Sequence, residues 1–135
     1  MESDKYFLDS SFVIALIFSN DFNHKKAVDM KFVLNHDCYI NNGVLAEILN
    51  ISNRYADFET VVEIYYQILD NFKIINEYDI FGYDARALAI FKKHKGKLGF
   101  VDSGIIATMS QNEIDNLVTF DKEFKRVDSI NVISR

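Results

Sequence analysis

The chain has 135 residues, 49% of them hydrophobic and 14% aromatic. That is ample for one globular core and too little for a second domain, so residues 1–135 are expected to form a single unit. A formal charge of -5 argues against a protein that holds nucleic acid by bulk electrostatics, and a single cysteine, Cys38, excludes an internal disulfide or a cysteine zinc cluster and suits a reducing cytoplasm.

In chain order, a short apolar strand is expected over residues 6–9, ending on Asp9. Ser10 and Ser11 then lead into the apolar run 12–18, a helix with one of the serines near its N-cap. A second helix is expected over 24–34. The strand 38–40 follows, in which Cys38 reads as a small buried hydrophobe. Asn41 and Asn42 are natural caps for a helix over 44–51 that carries Glu47 about one turn in. The most regular pattern spans 57–71, with Phe58, Val61, Val62, Tyr65, Leu69 and Phe72 on a core face and Glu59, Glu63, Gln67 and Asp70 opposite. A strand over 72–76 and a helix over 83–94 come next, then a turn bracketed by Gly96 and Gly99. Asp102 stands where this loop opens into an amphipathic helix over 103–111. The strand 117–120 is followed at once by Asp121, and 131–134 is the last strand.

Short apolar strands alternating with helices imply an α/β fold: a central, mostly parallel sheet of about five strands with helices on both faces. Right-handed crossovers bring the strand ends to one edge, where such sheets place their chemistry. Asp9, Glu47, Asp102 and Asp121 all fall at strand-end or early-helix positions. Taken singly, each reads as a cap or a surface acid, as do Asp57 and Asp79. Their agreement in position gives the group its weight. Two carboxylates ~4 Å apart repel by roughly 4 kcal/mol at an effective dielectric near 20, so a shared crevice needs protons or a multivalent cation. Oxygen donors without histidine or cysteine suit Mg²⁺ or Mn²⁺. His24, His36 and His94 lie outside these motifs and read as surface or loop residues.

Lys92, Lys93, Lys95 and Lys97 precede Asp102, and Lys122, Lys125 and Arg126 follow Asp121. Alone they read as solvated helix ends. Beside a carboxylate cluster, Lys92, Lys93, Lys95, Lys97 and Lys122 become candidate phosphate contacts. The opening MESDKYFLDSS lacks the basic and apolar segments of a secretory signal, and no apolar run nears the ~20 residues of a membrane span, so no membrane role is expected.

Four stretches carry a family resemblance: Phe7-Leu8-Asp9-Ser10-Ser11, Glu47-Ile48-Leu49, Phe100-Val101-Asp102-Ser103 and Val118-Thr119-Phe120-Asp121-Lys122-Glu123-Phe124. In this order and spacing the chain resembles a PIN domain, specifically the VapC-type ribonuclease toxins of toxin–antitoxin pairs. The resemblance implies that Asp9, Glu47, Asp102 and Asp121 bind one or two Mg²⁺ or Mn²⁺ ions and hydrolyse RNA through a metal-activated water. It further implies that Ser11 and Thr119 orient a carboxylate, a water or phosphate, and that the protein is a homodimer with a cognate antitoxin. Ser103-Gly104 departs from the small apolar residues usual in the family, and glycine there marks close packing or a first helical turn. A PIN nuclease of general RNA processing would use the same acids, and a non-catalytic module binding RNA or a partner is the other alternative. A receiver is weakened by the lone acid at the end of the first strand, and a haloacid dehalogenase phosphatase by the absence of D-x-D in Asp9-Ser10-Ser11.

Overall fold

The computed structural model describes residues 4–134. Five strands, β1 (Lys5–Leu8), β2 (Asp37–Asn41), β3 (Lys73–Ile75), β4 (Asn116–Val118) and β5 (Asn131–Ile133), form one sheet in the order β3-β2-β1-β4-β5. Every pairing is parallel, with Tyr6 opposite Cys38 on one side of β1 and Phe7 opposite Leu117 on the other. Parallel strands cannot be joined by tight turns, so helices fill the crossovers. These are α1 (Ser10–Ile17), α2 (His24–Asp29), α3 (Asn42–Tyr55), α4 (Phe58–Asn71), α5 (Tyr83–Lys93) and α6 (Phe100–Gln111).

The steps β1 to β2 to β3 run one way across the sheet, and the step to β4 returns past β1. With right-handed crossovers, α1 to α4 therefore cover one face and α5 and α6 the other. Both faces being covered explains why Phe7 and Leu8 on β1, neighbours in sequence with side chains on opposite faces, are both fully buried. The reversal makes the gap between β1 and β4 a topological switch point, the place in an open parallel sheet where a crevice forms outside the strand ends. No helix among the described residues is long and apolar enough to cross a membrane.

Four elements differ from their sequence patterns. The helix expected over 24–34 breaks at Met30, after which residues Lys31–Asn35 wind as a 3₁₀ turn. Ala27, Met30 and Val33 are all fully buried, and a spacing of three keeps them on one side only under tighter winding. On α4 the buried residues are Ile64 and Ile68, while Phe58, Val62, Tyr66 and Leu69 are exposed. The helix carries two apolar stripes, and periodicity alone does not say which one meets the core. The strand expected over 117–120 ends at Val118, although the Thr119 amide still donates to the Ile133 carbonyl of β5 at 3.1 Å.

Helix α6 starts at Phe100 rather than Ser103, and it is not amphipathic. Every residue from Ser103 to Met109 is buried, because α6 packs on the core through Ile105, Ile106 and Met109 and against α5 alongside. Gly104 is what permits the closest part of that packing. A Cβ at position 104 would stand 1.9 Å from the Tyr83 hydroxyl and 3.0 Å from its ring carbon Cζ. Gly104→Ala is accordingly expected to lower stability by about 1–3 kcal/mol in denaturant titration, as overpacking of a filled interior does. Tyr83→Phe in the same chain should recover part of that loss, since the nearest atom is then gone. A neutral Gly104→Ala would show that the approach is not as close as described.

Candidate active site

Strand β1 delivers Asp9 to the switch point, and the Asp9 amide donates to the carbonyl of Val118 at 3.0 Å, closing the gap between β1 and β4. Asp9 occupies the N-cap position of α1, and its carbonyl accepts from the amides of Phe12 and Val13. Its carboxylate, however, makes no cap bond. Asp57 shows the contrast: at the N-cap of α4 its carboxylate accepts from the Thr60 amide at 2.8 Å, and capping accounts for it. Asp79 lies inside a short 3₁₀ turn rather than at a cap position.

The Asp9 side chain is turned instead toward two hydroxyls. Thr119 Oγ1 donates to Asp9 Oδ2 at 2.7 Å and Ser11 Oγ donates to the same oxygen at 2.8 Å. Each hydroxyl is fixed from behind by a backbone amide: Asp121 N donates to Thr119 Oγ1 and Phe120 N donates to Ser11 Oγ, both at 3.0 Å. The two residues expected to orient a polar group thus hold one oxygen of Asp9. Burial pushes the Asp9 carboxyl above its usual range, the Thr119 and Ser11 hydrogen bonds pull it back, and the Glu47 charge adds to the rise.

Glu47 projects from α3, whose start is held firmly. Asn41 caps it by accepting from the Val44 amide at 2.9 Å, and its Nδ2 donates to Thr108 of α6 at 3.1 Å. Glu77 Oε1 accepts from the Gly43 amide at 2.7 Å, while the Glu77 amide donates to Asn42 Oδ1 at 2.9 Å. Ser10 Oγ donates to Glu47 Oε1 directly, joining the second acid to the first turn of α1. This bond was not foreseen, because Ser10 read only as a cap and the partners lie far apart in sequence. Asp121 sits past β4, with Oδ1 accepting from the Glu123 amide at 2.9 Å at the start of a 3₁₀ turn.

Asp102 stands in the first turn of α6, two residues before Gly104. Together with Asp9, Glu47 and Asp121 it lines one cleft of about 320 Å³, completed by Ser10, Ser11, Gly99, Phe100 and Val101. No lysine, arginine or histidine is among the lining residues. Burial first, then the charges of Asp9, Asp121 and Glu47, push the Asp102 carboxyl up to about 7. Four acids from four segments therefore share one field without a protein cation among them.

As the side chains stand, no three His, Cys, Asp or Glu residues among those described close into a direct coordination shell. The chemistry of the donors in the cleft, carboxylate oxygens with no histidine or cysteine beside them, is that of the hard ions Mg²⁺ and Mn²⁺, which keep several waters and are bound through one or two carboxylates. The donor set fits such an ion.

The candidate phosphate contacts fare unevenly. Lys92, Lys93, Lys95 and Lys97 are exposed around the end of α5 and line neither the acidic cleft nor its neighbouring grooves. Lys122 does line a groove, together with Lys26, Lys125 and Asp121. Lys26 was not foreseen, and nothing in its local sequence marks it. Cys38 is buried on the inner strand β2, where burial pushes its thiol up to about 11, and donates to the Val33 carbonyl at 3.2 Å, as a packing residue would.

The fold finds its counterpart in a known family. The model of the PIN domain matches residues 6–130, and the chain belongs to the PIN domain family. Among solved structures it is similar to the Mycobacterium tuberculosis toxin VapC20, described as cleaving the sarcin–ricin loop, with TM-score 0.80 and 22% identity over 93% of this chain and 96% of that one. A toxin–antitoxin complex from Klebsiella pneumoniae gives TM-score 0.72 and 20% identity, covering 96% of each chain. VapBC2 from Rickettsia felis, bound to promoter DNA, gives 0.66 and 19% over 96% of this chain and 97% of that one. At such identities the likeness shows a common fold. No curated protein sequence matches the chain.

Proposed function

We propose that the chain is a Mg²⁺- or Mn²⁺-dependent endoribonuclease, the toxin of a type II toxin–antitoxin pair that acts in the cytoplasm. The observation that carries the reading is the cleft at the switch point: Asp9, Glu47, Asp102 and Asp121 line it together, and burial with the charges of the other three pushes Asp102 up to about 7. A degenerate, non-catalytic module would be expected to have lost an acid, and all four are in place. The likeness to VapC20 supports RNA as the substrate class, and the likeness to toxin–antitoxin complexes supports an antitoxin partner. The exposed apolar stripe of α4, Phe58, Val62, Tyr66 and Leu69, offers a surface on which a second copy or an antitoxin could be seated.

In this reading Asp9, Glu47, Asp102 and Asp121 would hold the ion. A bound ion of this kind lowers the pKa of a water, screens the phosphate charge and stabilises the leaving oxygen. The chain's own residues prepare that site. Ser11 and Thr119 favour the ionised form of Asp9 against the burial that opposes it, and Ser10 fixes the direction of Glu47. Asp102 gives up its proton near neutral pH, which adds its charge to the cleft where the enzyme works. The water oxygen forms a bond to phosphorus and its proton passes to solvent, the bond from phosphorus to one ester oxygen breaks and that oxygen takes up a proton, and no enzyme side chain becomes covalently attached.

The test is cleavage of a mixed panel of single-stranded RNAs by purified protein in EDTA, Mg²⁺ or Mn²⁺. Cleavage is expected only with metal. Folded protein that cleaves nothing under either metal, and whose calorimetric metal titrations are silent, would overturn the enzymatic reading.

A further inference from the structure

Phe22 is 95% exposed, the highest exposure of any large hydrophobic residue described, and folding gains nothing from it. It is not carried on a loose loop. The Asp21 amide donates to the Phe18 carbonyl at 3.0 Å, Asn23 N donates to Asp21 Oδ1 at 2.8 Å, and His24 N donates to the Asp21 carbonyl at 3.0 Å. His24 Nδ1 lies 2.8 Å from the Ala15 carbonyl and ties the start of α2 back to α1. A bare aromatic ring held on a fixed turn is a surface prepared for something flat and apolar.

Its position indicates what that is. Phe22 and Asn23 form the divide between two grooves, and each groove opens onto the acids. One shares Ser10, Ser11 and Glu47 with the acidic cleft and runs beside Phe18 and Tyr55, whose ring centroids are 6.2 Å apart. The other shares Asp121 with the cleft and carries Lys26, Lys122 and Lys125. None of these three lysines is in a salt bridge among the described residues. In a chain of net charge -5, three such cations brought together beside an acidic centre from α2 and from the turn after β4 are a local reversal of sign.

Resting on the nuclease reading above, we propose that Phe22 and the groove of Lys26, Lys122 and Lys125 form a nucleotide subsite for single-stranded RNA. A base next to the scissile phosphate stacks on the Phe22 ring, and the flanking phosphates follow the lysines toward Asp121. Single-strand binders combine these two elements, an aromatic platform that accepts any base and a basic track for the backbone. A base paired in a duplex has both faces covered by its neighbours, so this subsite selects loops and unpaired segments. The lysines also draw the strand toward a centre whose own charge repels it.

The experiment measures binding and cleavage separately, with a fluorescently labelled single-stranded RNA of ten nucleotides as the probe. Anisotropy in Ca²⁺, together with kcat and KM in Mg²⁺ or Mn²⁺, is followed for wild type, Phe22→Ala, Phe22→Tyr and Lys122→Ala/Lys125→Ala. Because Phe22 is bare, its removal leaves the fold untouched, which circular dichroism verifies. Phe22→Ala is expected to weaken binding about 5- to 150-fold, with the loss carried by KM, while Phe22→Tyr stays near wild type. The double lysine variant is expected to weaken binding with a shallower salt dependence, by about 0.7 in log–log slope for each phosphate no longer neutralised. Wild type that cleaves RNA while Phe22→Ala binds and cleaves it equally well overturns the subsite and leaves the nuclease standing. Wild type that neither binds nor cleaves RNA removes both. Unchanged RNA affinity in Phe22→Ala combined with loss of a co-purifying protein would assign the turn to a protein partner and likewise overturn the subsite.

Discussion

Asp102→Asn is expected to abolish RNA cleavage while making the metal-free protein more stable. The two effects come from one cause. Asp102 carries a carboxyl pushed from an ordinary 3.8 up to about 7 by burial and by the charges of Asp9, Asp121 and Glu47. At pH 8 it is ionised at the expense of the fold, and a neutral amide of the same shape relieves that repulsion. With a discount for the part of the group that water still screens, the gain is on the order of 1–3 kcal/mol in a urea titration at pH 8 with EDTA. The same substitution removes a negative ligand from the cleft, for which a loss of about 10³-fold in kcat/KM is expected, in line with deletion of one strong electrostatic group from a catalytic site. Asp57→Asn is the control: its carboxylate caps α4 away from the cleft, so cleavage should stay at wild type. An Asp102→Asn protein that cleaves RNA at full rate would take Asp102 out of the site. One that is inactive and also less stable would contradict the electrostatic account and point to a structural role.

Which parts of this site were legible in the sequence follows from how local each signal is. Asp9 and Asp121 were legible because each follows a short apolar run, and a parallel sheet gathers the ends of its strands on one edge. The glycine at 104 was legible as an oddity, and its reason, the Tyr83 hydroxyl, only in three dimensions. Glu47 and Asp102 stood at early-helix positions, yet the start of α6 was misplaced by three residues. Gly99 takes the N-cap position there without a side-chain bond, so no capping signal marks the boundary. Two apolar stripes on α4 compete for the core, and only the sheet decides between them. The bond from Ser10 to Glu47 joins residues 37 apart, and that from Thr119 to Asp9 spans 110, so neither could be read from neighbours along the chain. The lysines fail for the same reason in reverse. The run from Lys92 to Lys97 is conspicuous because it is contiguous, whereas the groove beside Asp121 is built from Lys26 and the pair Lys122 and Lys125, which meet only after folding.

The stability of the metal-free protein should fall as pH rises from about 4 to about 7, and a divalent ion should cancel the fall. The sign follows from which state holds the proton. In the unfolded chain Asp102 ionises near its ordinary 3.8, and in the folded protein near 7, so between those values the folded state binds the extra proton. Raising pH through that window removes a proton that only the folded state was keeping, and stability drops until both states are ionised. Asp9, also raised by burial, shifts the balance in the same direction. Asp57, whose carboxyl is lowered by its bonds to Thr60, acts oppositely, but its contribution is lost only as pH falls below about 4 and does not mask the effect. A bound divalent ion replaces the protons: it competes poorly with them at pH 5 and well at pH 8, so its stabilisation grows with pH, reaching about 2.7 kcal/mol at a hundredfold excess over its dissociation constant. Urea titrations at pH 5, 6, 7 and 8, in EDTA and in excess Mg²⁺ or Mn²⁺, measure both slopes. Asp102→Asn should flatten most of the metal-free slope and reduce the ion's effect at pH 8. A metal-free wild type whose stability is level across this range, or a slope that survives the substitution intact, would mean that the Asp102 carboxyl is not held up by its burial and its acidic neighbours.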